Sequence, residues 1–121
     1  CDVLQADGGT RTASICGAFL ALRAAEARWL TEGIITTPLI VDEIAAISVG
    51  WNGYSALVDM NFSEDAATIA DFNVVLARSG GIIEVQGSAE KRAVCWADYQ
   101  KIMSSAQSAI KTLFAFYDTL T

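Results

Sequence analysis

Two rhythms of apolar and polar positions run along this chain. From Thr10 to about Leu30 the residues Ala13, Ile15, Cys16, Ala18, Phe19, Leu20, Ala21 and Leu22 leave almost no polar side. That pattern predicts a helix that is apolar all round and therefore buried. The small residues Ala13, Gly17, Ala21 and Ala24 recur at spacings of three and four, so the helix is able to lie close against a sheet or a partner. Arg23, Glu26, Arg28 and Glu32 return its C-terminal end to water, and Gly33 is the expected stop. A second helical rhythm spans about Trp96 to Leu120. Tyr99, Ile102, Met103, Ala106, Ile110, Leu113, Phe114 and Tyr117 form its stripe, opposite Lys101, Ser104, Ser105, Ser108, Lys111 and Thr112. This helix should pack on a sheet and show its back to solvent. Its start is weakly capped, because Cys95 stands at the N-cap and a thiol is a poor acceptor.

Between and before the helices the period shortens. Cys1 to Gln5 reads as the end of a strand, and Ile34 to Val41, with the only proline at Pro38, reads as a connection. Ile44 to Val49 and Tyr54 to Met60 are rich in β-formers and flank Trp51-Asn52-Gly53, a strong hairpin signal. Phe72 to Ala77 and Ile82 to Gln86 form a second pair around Arg78-Ser79-Gly80-Gly81. The expected order is β-α-β-β-β-β-α: an α+β fold with a mainly antiparallel sheet and helices on one face. No repeats or low-complexity tracts interrupt it.

Composition narrows this picture. With 121 residues, 53% of them hydrophobic, the chain makes a single domain with a real core. No apolar run reaches the roughly 20 residues of a membrane span, and no secretory signal is evident, so a cytoplasmic protein without a membrane partner is expected. The three cysteines Cys1, Cys16 and Cys95 are odd in number and widely spaced, which fits a reducing compartment. Histidine is absent, which excludes His-activated nucleophiles and His-containing zinc sites. Eight basic and fourteen acidic residues leave a net charge of −6, the wrong sign for a self-sufficient nucleic-acid binder. Because Cys1 falls inside an expected strand that nothing starts, an N-terminal portion is expected to be missing.

Candidate chemistry lies in two places. Ala6-Asp7-Gly8-Gly9 is a tight turn, and Thr10 opens the first helix. Backbone N–H groups, two glycines, a hydroxyl and a guanidinium thus meet at the positive end of a helix dipole, which suits a small anion. The plainer reading is an ordinary turn with Thr10 as N-cap. Arg11 favours the anion site, since an arginine in a first turn opposes the dipole unless an anion meets it. The second place is the acidic run Asp59, Glu64, Asp65 and Asp71. Carboxylates are natural Mg²⁺ ligands, but solvated loop acids beside a strand would look the same. Asp65 and Asp71 are able to share an ion only if residues 66–70 fold back. Trp29, Trp51 and Trp96 are scattered and read as core or hairpin packing, Lys91-Arg92 as a solvated loop, and Cys16 as inert packing.

The run Asp2-Val3-Leu4-Gln5-Ala6-Asp7-Gly8-Gly9-Thr10-Arg11-Thr12-Ala13 resembles the signature of the ribonuclease PH family of phosphate-dependent exoribonucleases. A second block resembles the same family in order and spacing: Glu64-Asp65, Asp71-x-Asn73-Val74-Val75, and Ile83-Glu84-Val85-Gln86-Gly87-x-Ala89-Glu90. Ala66 and Phe72 depart from the Ser and Met usual there, and residues 67–70 carry no charge. The resemblance covers nearly the whole chain and implies the C-terminal half of a ribonuclease PH / ribosomal protein S5 domain 2-like core, the N-terminal half being absent. It implies phosphate binding by Gly9, Thr10 and Arg11, and catalytic and Mg²⁺-associated roles for Asp65 and Asp71. It further implies phosphorolytic trimming of transfer RNA 3′ ends with release of nucleoside diphosphates, inorganic phosphate as co-substrate, RNA as partner and a hexameric ring. The isolated chain is expected to be weakly active or inactive. The competing expectations are a non-catalytic subunit that binds RNA or joins a ring, and an inactive fragment.

Overall fold

A computed structural model describes residues 1–120. Helix α1 (Thr10–Thr31) is followed by β1 (Ile44–Trp51), β2 (Ala56–Val58), the short helix α2 (Phe62–Ala67), β3 (Ala70–Ala77), β4 (Ile82–Ala89) and α3 (Trp96–Asp118). The four strands form one antiparallel sheet in the order β2-β1-β3-β4. Both hairpins expected from the turn residues are present. In the first, Asn52 Oδ1 accepts the N–H groups of Tyr54 and Ser55 at 2.9 and 2.8 Å, which lengthens the turn and shortens β2 to three residues.

Strand alternation sorts the sheet into two unlike faces. Ala45, Ile47, Val49 and Trp51 of β1 join Ala70, Val74 and Leu76 of β3 in the buried core. On that face lies α3, whose Ile102, Ala106, Ile110, Phe114 and Tyr117 are buried at the expected helical spacing. The opposite face carries Ser48, Asp71, Asn73, Glu84, Gln86 and Ser88, with Ser48 beside Asn73 and Asn73 beside Gln86 across the strands. This polar face holds the candidate chemistry.

Helix α1 departs from the expectation of burial all round. Of its 22 residues only Thr12 and Phe19 are buried, and Leu22 is 50% exposed. The reason is geometric: β2 is too short to cover the first half of β1, and α1 lies along that free edge instead. The Cys16 thiol contacts both the N–H and the C=O of Ala46 at 3.3 Å, taking the place of a strand partner. From there Phe19 reaches α3 and stacks on Tyr117, while the first turn of α1 overhangs the polar face. The expected first strand is corrected. Residues 1–5 pair with no strand of the sheet and so form none, and Leu4 is 97% exposed.

Glu43 ties the far end of the molecule together. It accepts from Arg23 at 3.1 Å and pairs with Arg78, which also meets Asp118 at 2.8 Å and the Phe114 carbonyl at 3.0 Å. Those bonds hold the β3–β4 turn to the C-terminal turn of α3.

Candidate active site

Gly8 and Gly9 both adopt left-handed backbone angles, φ 75° and 61°. A Cβ on Gly8 would stand 2.2 Å from the Met60 carbonyl oxygen, so only glycine fits where the turn presses on that segment. The Asp7 carboxylate accepts the Phe62 N–H at 2.9 Å and fastens the turn to the start of α2. Gly9 rather than Thr10 is the N-cap of α1, and no side chain caps the helix. The amides at its positive end are therefore free for a ligand in the cleft they border.

Arg11, in the first turn of α1, projects across the polar face. Its Nη2 donates to both carboxylate oxygens of Glu84 on β4, each at 2.9 Å, across 73 positions of sequence. The anion that compensates an arginine at a helix N-terminus is thus supplied by the protein itself.

The acidic run is folded back by an element the apolar pattern does not reveal. Asn61 caps α2 in a reciprocal capping box with Glu64: Asn61 Oδ1 accepts the Glu64 N–H at 2.9 Å and Glu64 Oε2 accepts the Asn61 N–H at 3.0 Å. Glu64 is thereby occupied structurally, and Asp65 follows it on the helix. The chain then reverses at Thr68, which is buried and whose hydroxyl donates to the Asp65 carbonyl at 2.8 Å. The Ile69 N–H donates to the Trp51 carbonyl at 2.8 Å, and β3 begins one residue later. Residues 66–70 do fold back, and Asp71 stands on the polar face opposite Gly50.

One cleft of about 350 Å³ is bordered by Gly8, Gly9, Thr10, Arg11, Asp65 and Asp71. All five residues singled out in the sequence, Gly9, Thr10, Arg11, Asp65 and Asp71, therefore come together. Ser48 and Asn73 complete the floor. Their signal in the sequence is weak: each is a polar residue at an alternate position of an otherwise apolar strand. Glu84 has no local signal for its contact, because the strand register and α1 placement create it. A larger recess of about 530 Å³ lies among Leu20, Ala24, Ala27 and Leu120, and its one charged group, Arg23, is already bound to Glu43 and the Tyr117 carbonyl.

The electrostatics of the cleft are those of crowded acids. Burial raises the Asp71 carboxyl above its ordinary pKa, and the charges of Asp65 and Glu90 add to the shift. A cation between these groups would relieve both effects. Among the described residues no three His, Cys, Asp or Glu side chains are placed to hold a metal ion together. Two carboxylates in a polar cleft do suit Mg²⁺, which keeps several waters and uses one or two carboxylates beside phosphate oxygens.

The remaining candidates are structural or peripheral. Lys91 Nζ donates to the Ala67 carbonyl at 3.1 Å and so caps the end of α2. Trp51 is buried in the core, but Trp96 is 82% exposed and meets Tyr99 edge-on, so packing in the core does not describe it. Cys16 is a packing residue at the β1 edge.

No family model matches the chain. Individual proteins do. The chain is 45% identical over 116 residues to a protein named ribonuclease PH from Caulobacter vibrioides (strain NA1000 / CB15N), an alignment covering 95% of the chain and 48% of that protein. It is 44% identical over 114 residues to the ribonuclease PH of Bacillus velezensis, covering 93% and 46%, and 43% identical over 115 residues to that of Rhodospirillum rubrum, covering 95% and 48%. The chain thus spans about half the length of the curated relatives it matches. Identity of 43–45% across about 95% of the chain makes these ribonuclease PH proteins its homologues, matched over about half of their length.

Proposed function

We propose that this domain carries the phosphate and acidic parts of a phosphate-dependent 3′-to-5′ exoribonuclease. The observation that supports this reading is the meeting of the Gly9–Arg11 corner with Asp65 and Asp71 in one cleft. An oxygen of inorganic phosphate, held by the amides at the α1 N-terminus, the Thr10 hydroxyl and Arg11, attacks the last phosphodiester of an RNA. A new P–O bond forms, the bond to the 3′ oxygen breaks, a nucleoside diphosphate leaves, and the shortened RNA takes up a proton at its 3′ oxygen. Phosphate is an anion already at neutral pH, so the protein's work is alignment and charge neutralisation rather than nucleophile activation. Asp65 and Asp71 would hold Mg²⁺, which supplies neutralisation of the transferred phosphoryl group when bound.

Transfer RNA 3′ ends as substrate, a cytoplasmic setting and assembly into a homo-oligomeric ring belong to the same proposal. It is tested by incubating the 121-residue chain with a single-stranded 3′-tailed RNA, Mg²⁺ and labelled inorganic phosphate. Slow release of nucleoside diphosphate that requires phosphate and disappears in Asp71→Asn is expected. Release of nucleoside monophosphates without phosphate would replace phosphorolysis by hydrolysis. RNA binding with no product, when the chain is supplemented with the rest of a relative's length, would favour a non-catalytic subunit.

A further inference from the structure

We propose that Glu84 is a positioning residue that holds the Arg11 guanidinium at the mouth of the cleft for an incoming inorganic phosphate. The inference rests on the phosphate-site reading of the Gly9–Arg11 corner and adds to it a residue on a different strand. Only one nitrogen of Arg11, Nη2, is engaged, and it meets both Glu84 oxygens at 2.9 Å. Arginine has five N–H donors in a planar fork, so Nε and Nη1 remain for another anion. Arg11 borders the cleft while Glu84 does not, so the carboxylate holds the guanidinium from outside the ligand space.

Stability does not account for the pair. Its side chains are 46% and 38% exposed, and an exposed ion pair contributes little to folding. An arginine in the first turn of a helix is unfavourable on its own account. Glu84 lies on the polar face opposite Val75 and cannot be a core residue. What the pair does achieve is to fix a long, rotamer-rich side chain before the ligand arrives, which lowers the ordering cost of binding.

Two effects of removing Glu84 oppose each other, and their sign makes the test. Loss of a negative charge near the cleft would by itself tighten phosphate binding; loss of positioning would weaken it. Inorganic phosphate is titrated into the full chain while the amide resonances of Gly9, Thr10 and Arg11 are followed by NMR. The dynamics of the Arg11 side-chain Nε–H are measured in the absence of phosphate. In Glu84→Ala the phosphate Kd is expected to rise about fivefold and the Nε–H to become mobile. Glu84→Gln, which keeps an acceptor, should recover part of both. Unchanged or tighter binding in Glu84→Ala, or an Nε–H as rigid as in the parent, overturns the role of Glu84 and leaves the phosphate site standing. No saturable shift at Gly9–Arg11 in the parent chain overturns the phosphate site itself, and the role of Glu84 with it.

Discussion

Tyr117 is the residue at which packing and polarity conflict most. Its ring is 1% exposed, stacked on Phe19 and crossed by Phe114, and its hydroxyl is the buried side-chain polar atom left without a hydrogen-bond partner among the described residues. Burial pushes the phenol pKa well above its ordinary value, and the adjacent Cys16 thiol adds to the shift. Because the folded form favours the neutral phenol, this contribution is fully present below about pH 10, where a free tyrosine titrates. It is lost as pH climbs further, since the unfolded chain then releases a proton that the folded chain retains. Tyr117→Phe removes an unpaired hydroxyl and should leave stability unchanged or raise it by about 1 kcal/mol, with a shallower loss above pH 10. Denaturant midpoints at pH 7 and above pH 10 check both points. Gly8 makes the opposite case: Gly8→Ala sets a Cβ against the Met60 carbonyl at positive φ, and should cost at least about 2 kcal/mol. A fall in Tm with loss of the Gly9–Arg11 amide dispersion is the expected signature. At this scale the sequence is a fair guide where a residue type has few uses, as with the paired glycines and Arg11. It is silent on Glu84, whose partner lies 73 positions away.

Elements followed their periodicity where one face met one surface. The stripe of α3 and both hairpins were legible because each is decided by neighbours three, four or two residues away. Two elements were not so decided. The uniform apolarity of α1 implied burial on every side, yet a helix lying along a strand edge covers only the side it turns to that edge. The short α2 has too few residues for a periodic signal, although Asn61-x-x-Glu64 announces its cap. That cap sets the orientation of Asp65, so Asn61→Ala should cost about 1 kcal/mol of stability. It should also loosen α2 without touching the glycine corner. Hydrogen exchange at Glu64 and Asp65 measures this directly: faster exchange confined to α2 is expected, and unchanged exchange would mean that tertiary contacts alone hold the helix.

The whole molecule combines an anion-seeking cleft with an acidic body. A net charge of −6 opposes RNA at long range even where Thr10 and Arg11 offer local attraction. The isolated chain should therefore bind single-stranded RNA weakly and with a shallow salt dependence, because few phosphates are neutralised. Titration of a short labelled oligonucleotide at low and high ionic strength checks this. A steep salt slope would require a basic surface that the eight lysines and arginines do not form, several being committed to Glu43, Glu84 and Asp118.

The sequence alone determined what depends on near neighbours: a Gly-Gly corner entering a helix, two hairpins and an amphipathic final helix. Only the tertiary structure decided which of these face one another. The fold-back at Thr68, the lie of α1 along the edge of β1 and the reach of Arg11 to Glu84 join residues far apart in the chain. Local spacing constrains backbone conformation through steric and hydrogen-bond rules a few residues in range. A cleft made from a helix start, a second helix and the middle of a sheet is fixed by packing among all three.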